Sequence, residues 1–251
     1  MIVFGTDFDD TLYFHDLGGI RKQDVEAIRR FQQAGNKFGL VSGRARMMKP
    51  LLEKMTEGKA DFDFWIFSNG AEICDKDGNL LEQIFMPETF IREVVEEMPD
   101  AGFIFHTPTG LYVTPAKGVR FDFPLNVIHS CDDFDPASVL AVSFDFRTPI
   151  GQKVYEANKD RKDVILVANS RFADFNPIGA TKGIALNTLC QRLMGEGNTS
   201  AAIGDSYNDL PMLEKADVSF TFHSSPQEVR EAASHLVEGI DEAAAILLDR
   251  Q

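Results

Sequence analysis

Four short clusters in this sequence combine residue types that can handle a charged ester. Near the N-terminus, Asp7-Phe8-Asp9-Asp10-Thr11 places two acids two positions apart. On an extended segment such side chains share a face. Two crowded carboxylates are costly unless a cation or a shared proton relieves them. Taken alone, the run is equally a polar turn with Asx hydrogen bonds. Ser42-Gly43-Arg44 offers a hydroxyl and free backbone N–H groups at a helix start, which suit phosphate oxygens, although a plain capping serine would look the same. Arg44 suits either a bidentate phosphate contact or a surface ion pair. Thr181-Lys182-Gly183 puts a cation where the helix dipole opposes it. Lys182 therefore calls for a nearby anion, carboxylate or phosphate, unless it is a solvated surface lysine. Gly204-Asp205-Ser206-Tyr207-Asn208-Asp209 brings two more acids behind a glycine that lets the backbone turn sharply. Magnesium takes hard oxygen ligands, usually one or two carboxylates, waters and substrate phosphate. Capping by Asp205 or Ser206 would not require so specific a string. Together the clusters supply acids for a divalent metal, a hydroxyl and a lysine for phosphate, and a spare carboxylate for proton transfer.

The elements that must position these clusters follow from periodicity. Ile2 to Phe4 is a short apolar run ending at the first cluster, as a buried strand ends at a site. Lys22 to Ala34 spaces Val25, Ile28 and Phe31 three apart and stops at Gly35, which predicts an amphipathic helix. Phe38 to Val41 is a second strand, followed by a helix from Arg46 to about Glu57. Phe62 to Phe67 is a third strand, ending at Ser68-Asn69-Gly70. Strands alternating with helices predict a Rossmann-like parallel sheet, whose carboxyl ends bind ligands. After Cys74 the pattern changes, beginning with turn chemistry at Asp75-Lys76-Asp77-Gly78-Asn79. Helices at Phe90–Met98 and Ile150–Lys159 then mix with β-rich runs at Phe103–His106, Leu111–Thr114, Val139–Arg147, Val164–Val167 and Phe172–Phe175. No period is readable over 119–138. The first pattern resumes with a helix over Thr181–Met194, strands at Ala201–Ile203 and Val218–Phe220, and helices at Pro226–Ser234 and Asp241–Leu248. The expected organisation is an α/β core, 1–76 plus 177–251, interrupted by an α+β insert over 77–176.

Composition narrows the function classes. The 251 residues are 44% hydrophobic and 25% charged, as in soluble globular proteins, and the formal net charge is −14. That charge disfavours a nucleic-acid groove, while a bound cation can still reverse the field locally for a phosphate ester. Cys74, Cys131 and Cys190 are too few and too scattered for a disulfide framework or a zinc site. No run is long and apolar enough for a membrane span, and the N-terminus lacks signal-peptide features. A cytoplasmic protein, monomer or homodimer, without nucleic-acid or membrane partners is expected.

These residues resemble the haloacid dehalogenase superfamily of phosphohydrolases. Its Asp-x-Asp-x-Thr motif is matched by Asp7 to Thr11, its Ser or Thr ending the second strand by Ser42, its Lys by Lys182, and its Gly-Asp-x-x-x-Asp by Gly204 to Asp209. Ser68-Asn69-Gly70-Ala71 and the position of the insert resemble the Cof-type branch, which carries an α+β (type IIB) cap there. One departure is Asp10, where glycine is common. The resemblance implies that Asp7 attacks phosphorus to give an aspartyl phosphate, and that Asp9 is the general acid and base. It implies Mg²⁺ held by Asp7, Asp205 and the backbone carbonyl of Asp9, with Asp209 orienting a metal-bound water. It also implies that Ser42, Gly43, Lys182 and Asn208 hold phosphate. Thr11 helps to place the first loop or the phosphate, and Arg44 is a further phosphate candidate. The substrate is expected to be a small phosphorylated metabolite, with a sugar phosphate favoured over a phosphorylated vitamin or nucleotide. Tyr112, Lys117, Arg120 and Arg147 are candidate donors from the insert.

Two other readings share these residues. A sugar phosphomutase or phosphotransferase could use the same core, and phosphate release measured against isomer formation separates them. A non-catalytic metal-binding sensor would be expected to have lost Asp7 or Asp9, and both are present.

Overall fold

The structure is a computed structural model that describes residues 1–115, 125–169 and 171–250. The candidate donors Lys117 and Arg120 lie outside the described residues. The chain begins with five strands, β1 Ile2–Thr6, β2 Lys37–Val41, β3 Phe64–Phe67, β4 Glu72–Asp75 and β5 Leu80–Gln83. It continues with β6 Ile104–His106, β7 Leu111–Val113, β8 Asn126–Val127, β9 Ala141–Asp145, β10 Val164–Ala168 and β11 Phe172–Pro177. It returns with β12 Thr199–Ile203, β13 Val218–Phe222 and β14 His235–Val237. The helices, in chain order, are α1 Lys22–Gln33, α2 Lys49–Met55, α3 Glu88–Glu97, α4 Pro149–Asn158, α5 Lys182–Asn187, α6 Leu210–Lys215, α7 Gln227–Ala232 and α8 Ile240–Leu248.

Two sheets result. The first runs β14-β13-β12-β1-β2-β3-β4-β5, parallel from β14 to β3, with the hairpin β4–β5 added antiparallel at one edge. Because β5 belongs to this sheet, the expected division at 76/77 falls inside the hairpin. The second sheet is β10-β11-β9-β6-β7-β8. No helix among the described residues is long and apolar enough to cross a membrane.

Alternation along each central strand explains the layering. In β1, Ile2 and Phe4 enter one apolar cluster with Phe31, Phe38, Phe220 and Leu247, while Val3 enters another with Leu186, Met212 and Val229. Helices therefore cover both faces, as a buried parallel sheet requires. A methyl group on Gly5 would lie 2.8 Å from Val41 Cγ2 and 3.0 Å from Leu186 Cδ1, so the missing side chain lets α5 settle against the sheet. In the second sheet, Phe103, Phe105, Phe144 and Phe175 pack on one side with Phe90, Val94 and Val154 from α3 and α4. The other side faces the first sheet, and Ile104, Leu111 and Val113 there meet Ala45.

Candidate active site

The site is built where parallel strands end. β1 and β12 pair with Thr6 opposite Ile203, and the Asp7 N–H continues the ladder by donating to the Ile203 carbonyl at 3.0 Å. That register brings the loop after β1 beside the loop after β12, so Asp7 and Asp205 meet across most of the chain. Helix α5 starts at the same edge, with the Thr181 hydroxyl accepting from the Ile184 N–H as its cap. Lys182, buried in the first turn, donates to Asp7 Oδ1 at 2.5 Å and to Asp209 Oδ1 at 2.7 Å. Those two carboxylates are the anions that a lysine at this end of a helix needs.

The acidic turn is rigid for local reasons. Asp209 Oδ2 accepts from the backbone N–H groups of Asp205 and Ser206, both at 3.1 Å. The Thr11 hydroxyl donates to Asp205 Oδ1 at 2.8 Å, tying the first loop to the last. Thr11 is fully buried, and its hydroxyl is engaged with this acid rather than presented to the cavity. Ligand oxygens of Asp7, Asp205 and Asp209 all lie within 4.8 Å of one another.

Electrostatics match this crowding. Burial foremost pushes the Asp7 carboxyl well above its ordinary value, opposed by Lys182 and assisted by Asp209 and Asp205. Burial, then Asp209, raises Asp205 to about 6. Burial works to lower Lys182, but Asp209 and Asp7 outweigh it and hold the ammonium above its usual range. Three hard oxygen donors that repel one another and are shielded by one lysine fit a divalent cation. Asp209 thus stands close enough to bind an ion directly, although its two oxygens already serve Lys182 and the turn.

Asp9 faces differently. Arg44 grips it from Nε at 3.0 Å and Nη2 at 2.7 Å, and His15 Nε2 lies 2.8 Å from Oδ1. Burial works to raise this carboxyl, but the Arg44 hydrogen bonds outweigh it and hold Asp9 below its ordinary value. Arg44 also lies over the Phe8 ring, 5.6 Å from its centroid. Here the arginine expected near phosphate is bound to the expected proton carrier. Asp10, where glycine is common, has φ +58°, the left-handed region that glycine enters freely and aspartate tolerates.

A cavity of about 510 Å³ lies between the two sheets, within the range of small-molecule sites. Asp7, Asp9, Ser42, Gly43, Arg44, Asp205 and Asn208 form its floor, so most of the expected residues share one space. Lys182 reaches it only through Asp7. Of the candidate donors from the insert, Arg147 is engaged with Asp145 at 3.1 Å and Tyr112 packs against Phe134. Neither lines the cavity. The roof consists of Ile104, His106, Leu111, Ser143, Asn169, Arg171, Phe172 and Asp174, none of which stood out in the sequence. A usable signal existed in β11, where Asp174 and Asn176 alternate with Ala173 and Phe175, as on a strand with one polar face.

Comparison with known proteins agrees with this geometry. The sequence model for haloacid dehalogenase-like hydrolases matches residues 4–247. The chain belongs to that family. The 5-amino-6-(5-phospho-D-ribitylamino)uracil phosphatase YcsE of Bacillus subtilis is 24% identical over 234 residues, covering 92% of this chain and 88% of that protein. Among solved structures, the HAD subclass IIB sugar phosphatase BT4131 superposes with a TM-score of 0.81 at 18% identity, covering 100% of this chain and 99% of the other. BT1666 from Bacteroides thetaiotaomicron, one of the phosphatases of this superfamily, gives 0.80 at 21% identity, covering 99% and 93%. The hydrolase is a phosphatase, with the fold expected for the Cof-type branch.

Proposed function

We propose that this hydrolase is a magnesium-dependent phosphatase that removes the phosphoryl group of a small sugar phosphate through an aspartyl-phosphate intermediate. The single observation that carries the reading is the convergence of Asp7, Asp205 and Asp209 at the strand edge, where Lys182 bridges two of them. The Oδ of Asp7 attacks phosphorus, and the bond to the ester oxygen breaks as the new P–O bond forms. Asp9 protonates the departing alcohol and then takes a proton from the water that cleaves the intermediate. Its contacts to Arg44 and His15 hold the ionised form, which is the form the second step needs. For the first step, substrate phosphate that takes over Arg44 would free the carboxyl to take up a proton from solvent before it protonates the alcohol. Ser42, the Gly43 backbone, Asn208 and Lys182 balance charge on the transferring oxygens. Asp7, Asp205 and the Asp9 carbonyl would hold Mg²⁺, with Asp209 beside them, and the ion would screen the repulsion between carboxylate and phosphate. The segment from about 84 to 176 acts as a cap that excludes water and selects the leaving group. The likeness to a ribityl-phosphate phosphatase and to a sugar phosphatase supports a polyol or sugar ester.

The test is phosphate release from a panel of esters, with Mg²⁺ and with a chelator. Asp7→Asn should abolish turnover while its circular dichroism and melting remain those of a folded protein. Sustained hydrolysis by that variant, with deamidation excluded by mass spectrometry, would rule out the covalent scheme. Formation of an isomeric phosphate in place of free phosphate would replace hydrolysis by mutase chemistry.

A further inference from the structure

The roof of the cavity contains a connected set of buried polar groups that the phosphoryl chemistry does not use. Ile104, Ser143 and Asp174 stand in one row across β6, β9 and β11, on the side facing the first sheet. His106, two residues beyond Ile104, lies on the same side. His106 Nδ1 is 3.3 Å from Ser68 Oγ, and His106 Nε2 is 3.1 Å from Ser143 Oγ. Ser143 Oγ donates to Asp174 Oδ1 at 2.5 Å, and Asn69 Nδ2 donates to Asp174 Oδ2 at 3.0 Å.

The hydrogen bonds have one consistent direction. Ser143 has a single proton and gives it to Asp174, so it accepts from His106 Nε2–H. The imidazole is neutral, since burial holds it down to about 4, so Nδ1 accepts from the Ser68 hydroxyl. The whole chain of donors ends on the Asp174 carboxylate. That group lines the cavity, and its direct partners among the described residues, Ser143 and Asn69, are both neutral. An ionised carboxyl has about four acceptor positions, and two are filled. A buried carboxylate with spare acceptor capacity is costly until more donors reach it.

Two further observations lie beside this carboxylate. Ser68 and Asn69 have φ of +49° and +53°, the left-handed region, which asparagine tolerates but which serine rarely adopts unless the surroundings enforce it. This strained turn is the Ser68-Asn69-Gly70 string whose role the phosphoryl chemistry leaves open. Asn69 spends both amide protons on Asp174 and Asn176, while its buried Oδ1 has no partner among the described residues. That oxygen lies 3.0 Å from where a Gly43 Cβ would be, directly behind the loop that grips phosphate.

We propose that Asp174, oriented by Ser143 and Asn69, is the specificity-determining residue of the leaving-group pocket, and that it selects a neutral leaving group rich in hydroxyls. The inference rests on the phosphatase reading. Hydroxyl donors on the leaving group fill the open acceptor positions of Asp174. An alkyl or aryl leaving group leaves them empty, and a leaving group with a second phosphate or a carboxylate places an anion against them. A site built around such a bond rejects analogues that lack the partner far more strongly than an apolar pocket does.

The experiment uses the full chain with Mg²⁺ and compares sorbitol 6-phosphate and glucose 6-phosphate with p-nitrophenyl phosphate and fructose 1,6-bisphosphate. The wild type should favour at least one hydroxyl-rich monophosphate over the bisphosphate by about tenfold or more in kcat/KM. Asp174→Asn should lower kcat/KM for that ester by about 10–100-fold, mainly through KM, and change the p-nitrophenyl ester by less than about threefold. If Asp174→Asn does not fold, Ser143→Ala carries the same test and should show the same split. Equal losses on both ester types, no loss on either, or a wild-type preference for the bisphosphate would overturn the proposal while leaving the phosphatase reading intact. Release of no phosphate from any ester would instead overturn the phosphatase reading and this proposal with it.

Discussion

Lys182→Met tests the charge balance on which the site depends. The substitution keeps an unbranched side chain of similar length but removes the buried cation between Asp7 and Asp209. In the wild type, three carboxylates share one ammonium, at 2.5 Å from Asp7 and 2.7 Å from Asp209. Removing it takes the local formal charge from −2 to −3 where water cannot screen it. Breaking a buried ion pair by deleting one partner costs about 3–5 kcal/mol. Protonation limits the loss, because Asp7 already holds a proton more tightly than an ordinary carboxyl. At a urea slope of about 3 kcal/mol/M, a 4 kcal/mol loss lowers the unfolding midpoint by roughly 1.3 M. The assay is urea unfolding at pH 7.5 and 5.5, with chelator and with Mg²⁺. The variant should lose most of its deficit at pH 5.5, where the acids can protonate. It should also gain more from Mg²⁺ than the wild type does, because an ion relieves the added repulsion. A deficit that is equal at both pH values and unmoved by Mg²⁺ would refute the reasoning, since lost packing alone would then account for it.

Two other outcomes are expected. Asp205 is raised to about 6 in the folded protein, so the folded state binds its proton more tightly than the unfolded chain does. The stability this lends the metal-free protein is fully present below the usual carboxylate value and is lost as pH rises through about 6. Mg²⁺ should therefore raise the melting temperature more at pH 7.5 than at pH 5, as calorimetry can check, and an opposite trend would count against the acidic trio as the ion site. Gly183→Ala should destabilise by about 2–3 kcal/mol and lower kcat. A Cβ there would lie 1.8 Å from the Pro211 carbonyl oxygen and force α5, which carries Lys182, away from α6. A normal melting temperature and rate would show that the two helices are not held this tightly.

The sequence made some parts of this structure easy to read and hid others. β1, β2 and β12 are short apolar runs that stop at chemically unusual residues, so both strand and site could be read locally. The turn at 75–79 is legible from its residues, but the strands β4 and β5 that it joins are not, because Leu80 and Leu81 are both exposed and give no two-residue alternation. The edge strand β14 is only three residues long, too short to show a period. The helix expected over 181–194 is α5 followed by a wider π turn at Thr188–Leu193, and side-chain periodicity barely separates the two. Asp7 and Lys182 were legible from motif chemistry. The pairing of Asp9 with Arg44 was not, because it depends on how two loops face each other. His106, Ser143 and Asp174 are least visible of all. Only Asp174 sits in a polar–apolar alternation, and only the register of β6, β9 and β11 assembles the three.

Thr11 and Asp205 are bonded although 194 positions separate them, and this has a consequence for biosynthesis. A growing polypeptide exposes the flank of β1 until β12 has left the ribosome. Asp7, by then long made, still lacks the acidic neighbours Asp205 and Asp209, which follow β12. Closing so wide a loop between flexible ends carries an entropic penalty that grows with its length. Independent collapse of the second sheet would shorten the effective tether, because Met86 and Val139 already link that sheet's entry to its centre through a backbone bond of 2.7 Å. Catalytic competence would then arrive late and all at once, with the last quarter of the chain.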